Sequence, residues 1–300
     1  MNITLTGSLG HIGKPLTRAL CHNGHQVTVI SSNAQRAMDI TSLGATPAIG
    51  TIEDVDFLTE SFKGADAVYT MIPPNDYFND ALDLIAYYRR IGRHYKQAIK
   101  DAGVKKVVNL SSIGAHLSKG NGILLGAHDV EQTLNKLPLE VAITHIRPTA
   151  FYYNLLGYIE KIQTQGFISA NYGADDIIPW VSPFDIAATI QEVLSSPLTS
   201  REVQYVASEE LTGHQTARIL GEAIGIPDLE WKIISDQKTE EELIFIGMNP
   251  AIAKGLTQMY AGLHNGILTE DYWRHKPTLG KVKLRDFAKE FSCVFHAQSI

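Results

Sequence analysis

The sequence predicts an α/β chain, a doubly wound parallel sheet with a smaller C-terminal α/β lobe. Three observations carry that expectation. Strand and helix patterns alternate through the first half. Several strand runs, such as Val27 to Ile30, are almost continuously apolar, as in a parallel sheet buried on both faces. Three glycines spaced by three, Gly7, Gly10 and Gly13, stand between the first strand pattern and the first helix pattern.

Strands are expected at 2–6, 26–30, 45–49, 66–72, 105–110 and 139–146, and helices at 12–23, 34–42, 55–62, 80–101 and 125–136. The first helix follows from Leu16, Ala19 and Leu20 on one face. The fourth strand stops at Pro73-Pro74, since proline has no N–H for a sheet ladder. In the long helix, Leu82, Ile85, Tyr88, Tyr95, Ile99 and Ala102 fall at helical spacing and read as core, with Gly103 closing the helix. The second half is less regular. Phe151 to Gly166 reads as a helix, and Ser182-Pro183-Phe184-Asp185 opens another, with Asp185 in its first turn. A strand is expected at Val203 to Ala207, and a helix from Thr212 to Ile224 stopped by Gly225. Residues 240–264 read as helical with a break at Asn249-Pro250. The expected division is a dinucleotide-binding domain at 1–150 with a return segment at about 176–207, and a substrate lobe at 151–175 and 208–300. That lobe would cover the sheet's carboxyl edge, where ligands sit in open α/β sheets.

With 300 residues and 44% hydrophobic content, the chain can bury a large core. A net charge of −6 without a long basic run argues against nucleic acid as the main ligand. No apolar stretch approaches the roughly 20 residues of a membrane helix, and no basic leader or signal-like run opens the chain. Cys21 and Cys293 are far apart and read as reduced thiols of a cytoplasmic protein. No metal site is expected, His22-x-x-His25 included.

The glycines point to a ligand. In a strand–turn–helix unit the first glycine permits a sharp turn, the second lets the backbone approach a pyrophosphate, and the third lets the helix pack close. The helix start then binds the negative charge through its free N–H groups. Gly7, Leu9, Gly10, His11, Ile12 and Gly13 are the expected pyrophosphate residues of a dinucleotide site. The second strand ends in Ile30-Ser31-Ser32-Asn33-Ala34-Gln35-Arg36, with no carboxylate. An acid there favours NAD, whereas Ser31, Ser32, Asn33 and Arg36 tolerate a 2′-phosphate, so NADP is the favoured cofactor and NAD the alternative. Ser31 to Asn33 also suit plain helix capping. Met71, Ile72 and Pro73 end the fourth strand beside the adenosine and central ribose. Ser111, Ser112 and Pro148 end the next two strands beside the nicotinamide.

Taken together, Gly7-x-x-Gly10-x-x-Gly13, Leu110-Ser111-Ser112, Arg147-Pro148-Thr149-x-Phe151-x-x-Asn154 and Val181-Ser182-x-x-Asp185-Ile186-Ala187 resemble the NmrA-like, atypical short-chain dehydrogenase/reductase family. Thr278-Leu279-Gly280 and Phe287-Ala288 are similar to the family's C-terminal end. The resemblance implies a Rossmann-type domain, a bound NADP or NAD, and a small substrate lobe. Its members include quinone and other reductases as well as dinucleotide sensors that contact regulatory partners. The wider superfamily uses a serine with Tyr-x-x-x-Lys. Ser111 or Ser112 matches the serine, but the tyrosine and lysine slots fall on Ile123 and Ala127, which transfer no proton. Catalytic candidates are therefore Ser111, His128 beside the lysine slot, and Tyr152, with Tyr153 as its neighbour. Phe151, Asn154 and Trp180 are expected to line an acceptor pocket. The resulting expectation is an NAD(P)H-dependent reductase of a quinone or similar planar acceptor. The alternative is a non-catalytic redox sensor with a protein partner.

Overall fold

The computed structural model describes residues 1–197 and 200–297. Its first half runs β1 (Asn2–Leu5), α1 (Gly13–His22), β2 (Gln26–Ser31), α2 (Ala37–Ser42), β3 (Thr46–Ile49), α3 (Val55–Phe62), β4 (Ala67–Thr70), α4 (Leu84–Asp101), β5 (Lys106–Leu110), α5 (Leu125–Leu134) and β6 (Ala142–Pro148). The second half runs β7 (Ala150–Phe151), α6 (Ile159–Gln165), β8 (Phe167–Ala170), β9 (Ile177–Val181), α7 (Pro183–Ser195), β10 (Glu202–Val206), β11 (Glu209–Thr212), α8 (Gly213–Ile224), β12 (Glu230–Ile233), α9 (Asp236–Phe245), α10 (Pro250–His264), α11 (Glu270–Arg274) and α12 (Leu284–Ala297).

Seven strands pair in parallel in the order β3-β2-β1-β4-β5-β6-β10. The order reverses between β1 and β4, the switch point outside which ligands bind in such sheets. Successive residues of β5 show why its run is apolar throughout. Val108 packs with Leu16, Ile186 and Ile190 on one face, and Val107 packs with Phe62, Ile91 and Val130 on the other. A polar row crosses the sheet in register. Thr70 Oγ1 donates to Asn109 Oδ1 at 3.1 Å, and the Asn109 amide lies 3.2 Å from His145 Nδ1. His145 Nε2 lies 3.2 Å from Asn135 Oδ1. Burial holds His145 neutral by lowering its pKa. Buried Lys106 donates to the carbonyls of Val193 (2.6 Å), Leu194 (3.1 Å) and Ser196 (2.6 Å), which closes the end of α7.

Several elements depart from expectation. α4 begins at Leu84, not at 80, because Asp83 accepts from Ala86 N and caps it. The helix expected from Phe151 opens as β7, since Ala150 and Phe151 pair with Trp180 and Val181. It continues as a 3₁₀ segment before α6. Residues 176–207 return to the large sheet only in part: β10 joins it, whereas β9 pairs with β11 and β7 in a separate three-stranded sheet. β8 and β12 form a further two-stranded sheet. The C-terminal elements share their own core of Tyr152, Trp180, Leu220, Trp231 and Phe291. Asp185 ties them back. Its carboxylate accepts from the N–H groups of Lys281 and Val282 at 3.1 Å each and from Ser208 Oγ at 2.5 Å. Gly280 is required there, because a Cβ would lie 2.2 Å from Asp185 Oδ2. The Val181-Ser182-x-x-Asp185 and Thr278-Leu279-Gly280 motifs are thus two halves of one clamp.

Candidate active site

The loop after β1 turns on Gly7, whose φ is +90°, and on Ser8 at +56°. The left-handed Ser8 is held by its N–H to Ile30 O at 3.1 Å and its hydroxyl to Ser31 Oγ at 2.9 Å. A Cβ on Gly13 would lie 2.1 Å from the Ser8 carbonyl, and one on Gly7 would lie 2.6 Å from Met71 Sδ. The fold itself therefore demands both. Gly10 differs: it is exposed, and its Cβ would meet only Gly7 O at 3.8 Å. Among the described residues nothing fills the space above it. The N–H groups of Gly10, His11, Ile12 and Gly13 have no partner among the described residues, and no side chain caps α1. Four free donors at a helix start beside an unfilled glycine fit a phosphate group. Leu9 and Ile12 turn their side chains into the core and leave only backbone at this surface.

Of the residues at the end of β2, buried Ser31 is engaged with Ser8 and with Asn33 N at 3.2 Å. Asn33 caps the following turn through Gln35 N at 2.9 Å. Ser32 is exposed, and exposed Arg36 pairs with Asp39 at 3.1 Å. At the end of β4, Met71 N donates to Thr6 Oγ1 at 3.0 Å and Met71 O accepts from Tyr95 at 2.7 Å, fixing this edge against the glycine loop. Ile72 and Pro73 follow, half-buried.

The ends of β5 and β6 carry a denser arrangement. Ser111 Oγ donates to Glu131 Oε1 at 2.5 Å. Glu131 is buried and held by both arms of Arg147, at 2.9 and 2.7 Å. Arg147 also donates to Asp271 at 3.0 Å and to Tyr205 at 3.2 Å, and Tyr205 donates to Asp271 at 2.6 Å. Burial alone would lower the Arg147 pKa, but Glu131 outweighs it and fixes the charge. Pro148 O accepts from Ile113 N at 2.9 Å, which holds Ser112 and its neighbours against β6.

Of the tyrosine and lysine slots, Ile123 is half-buried against α10 and Ala127 lies in the core. A Cβ on Gly255 of α10 would lie 2.8 Å from the Ile123 side chain, and Ala127 is buried. His128 Nδ1 lies 2.8 Å from Ala115 O, so one ring nitrogen is held by the backbone. An open cavity of about 530 Å³ lies beside this segment, lined by Leu84, Ile85, Ile123, Ile252 and Gly255 with Lys254 at its rim.

On the acceptor side, Phe151, Tyr153 and His11 stack in sequence, with centroids 5.0 and 4.8 Å apart. The column joins the glycine loop to the segment after β7. Asn154 is exposed. Two expectations are corrected. Tyr152 is turned into the C-terminal core against Phe287 and Trp180, and its hydroxyl points to Glu209 and Val282 O. Burial and the Glu209 charge raise its pKa far above the ordinary value. Trp180 is 1% exposed and donates to Thr216 at 3.2 Å, so it lines no open face. Sequence reasoning gave Glu131 and Asp271 no role. A lone acid on a helix carries no signal until its arginine is brought to it.

The seven-stranded order and the open glycine cradle define an α/β protein of the doubly wound class. The chain belongs to the NmrA-like family, whose model matches residues 1–267. Solved structures similar in fold include the NADPH-dependent quinone oxidoreductase of Escherichia coli complexed with NADPH, at 19% identity and TM-score 0.80, covering 96% of this chain and 99% of that one. A second is the Citrobacter sp. triphenylmethane reductase complexed with NADP(H), at 17% identity and TM-score 0.77, covering 97% and 99%. A third is a nucleoside-diphosphate-sugar epimerase from Staphylococcus aureus, at 19% identity and TM-score 0.76, covering 96% and 100%. Among curated proteins, a sterol-4-alpha-carboxylate 3-dehydrogenase (decarboxylating) of Dictyostelium discoideum is 36% identical over 67 residues, 22% of this chain and 20% of that one. A 4-hydroxy-2-methyl-3-oxo-4-farnesyl-3,4-dihydroquinoline-1-oxide ketoreductase of Stigmatella aurantiaca is 32% identical over 69 residues, 23% and 21%. The chain spans about a fifth of the length of these curated relatives. Among the described residues no helix is long and apolar enough to cross a membrane, and no group of three or more His, Cys, Asp or Glu side chains is placed to hold a metal ion.

Proposed function

We propose that this chain is an NADPH-dependent reductase that acts on a quinone or similar planar acceptor by direct hydride transfer, without a Tyr-x-x-x-Lys pair. One observation carries the reading: no acid stands where the superfamily places one. Ile123 and Ala127 occupy the slots, and the Ser111 hydrogen is already given to Glu131. Acceptors that become aromatic on reduction need no enzymic acid, because water can protonate their oxygens.

The backbone at Gly7, Gly10, Ile12 and Gly13, with Leu9 and His11 between, would hold the pyrophosphate. Ser31, Ser32, Asn33 and Arg36 would meet the adenosine ribose or its 2′-phosphate, and Met71, Ile72 and Pro73 the neighbouring ribose. Ser111, Ser112 and Pro148 would border the nicotinamide, and Phe151 and Asn154 the acceptor. The bound nicotinamide would supply the hydride. Ser111 would present oxygen lone pairs to its ligand, since its proton is turned to Glu131. The chain's part is orientation and the exclusion of competing reactions. NADP is favoured by the absent carboxylate after β2 and by the NADPH and NADP(H) of two structural neighbours, with NAD the alternative. The proposal includes a dinucleotide domain at 1–150 and a substrate lobe over its edge. It also includes a cytoplasmic location, supported by two free thiols.

A second reading, a dinucleotide sensor without turnover, draws on the same missing pair and on the solvent-facing Phe245, Ile246 and Phe78. The deciding experiment is steady-state NADPH and NADH oxidation with a quinone panel, beside calorimetric binding of all four dinucleotides. Acceptor-dependent turnover supports the reductase. Tight dinucleotide binding with turnover no better than buffer removes it and favours the sensor.

A further inference from the structure

Tyrosine hydroxyls taken from bulk water ordinarily find a partner. Among the described residues six do not: Tyr69 and Tyr87, which pack in the cores on the two faces of the large sheet, and four others. Tyr77 lies in the segment after β4, Tyr88 in α4, Tyr153 after β7, and Tyr260 in α10. Each is half-buried, and none of the four hydroxyls has a hydrogen-bond partner among the described residues. The fully sealed orphan atoms lie elsewhere, at His116 and Thr257 for example, so none of these four hydroxyls is sealed from solvent.

The four converge on one place. Tyr77, Tyr88 and Tyr260 pack against the same cluster of Leu84, Ile252 and Leu256. Tyr153 reaches it from the glycine loop, where its ring stacks on His11 at 4.8 Å. Tyr77 is close enough to raise the pKa of each of the other three. Burial is the larger cause and pushes Tyr153 and Tyr260 up to about 12, so the phenols remain donors at any physiological pH. No lysine or arginine is among the charges acting on them.

We propose that these four phenols form a recognition subsite, and that its ligand is a neutral planar conjugated compound bearing two carbonyl oxygens. That this ligand is the electron acceptor rests on the reductase reading above. The rings supply apolar faces for a flat body, and the hydroxyls supply donors to oxygens that only accept. A carboxylate or phosphate would be left without a counter-charge, which a dehydrated anion requires.

Calorimetric titration with 2-methyl-1,4-naphthoquinone and with 2-methylnaphthalene, the same ring system without oxygens, tests the subsite with and without NADP⁺. The native protein should bind the quinone about tenfold more tightly than the hydrocarbon, the effect of one or two net hydrogen bonds. Y88F and Y153F should remove most of that difference and leave hydrocarbon binding unchanged, which also reports an intact fold. Equal binding of the two compounds, no binding of either, or quinone binding untouched in Y77F, Y88F, Y153F and Y260F alike would overturn the subsite. Discrimination that depends on the phenols, without NADPH oxidation, would keep the subsite and remove the reductase reading. Turnover that ignores all four substitutions would do the reverse.

Discussion

The glycine loop and the end of β5 lie on the same carboxyl edge but are built from different materials. The glycine loop is backbone: the seven consecutive residues from Gly7 to Gly13 supply the turn, the cradle and four free N–H groups. The end of β5 is side chain, with Ser111, Glu131, Arg147, Tyr205 and Asp271 gathered from five segments. Generic anion binding needs only dipoles that any residue carries, so it can be local. Orienting one hydroxyl requires a chain of fixed partners, and only the fold brings those together.

The largest test of that contrast is Glu131→Ala. It leaves buried Arg147 with only the partly exposed Asp271 as a counter-charge, and stability should fall by about 3–5 kcal/mol, read from urea denaturation. A loss under about 1 kcal/mol, the range of a solvated surface pair, would break the contrast.

Asp271→Asn tests the outer end of the same network and should cost about 1–3 kcal/mol near neutral pH. Burial alone raises the Asp271 pKa, but the Tyr205 hydrogen bond and the charges of His116, Arg147 and His275 bring it below its ordinary 3.8. A depressed carboxylate stabilises the fold above its unfolded pKa and loses that contribution as pH falls through the folded value. Thermal unfolding followed from pH 6 down to 2 should therefore show a shallower acid limb in the variant. Parallel limbs would remove Asp271 from the account.

Gly10→Ala sharpens the backbone side. The protein has room for the methyl group, so stability should shift by no more than about 0.5 kcal/mol. Dinucleotide affinity should fall about tenfold, or 1.4 kcal/mol, because the methyl occupies the space left for the ligand. Unchanged affinity by calorimetry would show that nothing approaches that face. The smallest effect is expected at Arg36→Ala. Its partner Asp39 is exposed, so stability should change by under about 0.5 kcal/mol. The NADPH-to-NADH affinity ratio should fall about threefold, equivalent to roughly 0.7 kcal/mol. An unchanged ratio would remove Arg36 from cofactor selection.

How far the site could be read from the chain varies residue by residue. Tyr152 and Tyr153 are neighbours with the same chemistry, and no pattern separates them. A 3₁₀ turn sends the first into the C-terminal core and stacks the second on His11. Tyr88 fits the core stripe of α4 by its spacing, and its ring does pack there, yet its hydroxyl is left without a partner. Periodicity reports which face a residue occupies and says nothing about the tip of a long side chain. β11, with the polar sequence Glu209-Glu210-Leu211-Thr212, is a strand because Trp180 to Ile177 lie alongside it, not because of its own composition.

The sequence alone determined the features that rest on short-range rules. These are the apolar runs of a parallel sheet, the strand–turn–helix at Gly7 to Gly13, the helix start at Ser182, and the breaks at Gly225 and Asn249-Pro250. Each depends on backbone conformation or periodicity within a few residues. Tertiary structure decided that Glu131 takes the proton of Ser111, that Asp185 clamps residues 280–282, and that four phenols from separate segments are left without partners in one place. Those arrangements depend on distances between residues far apart in the chain, and only packing fixes such distances.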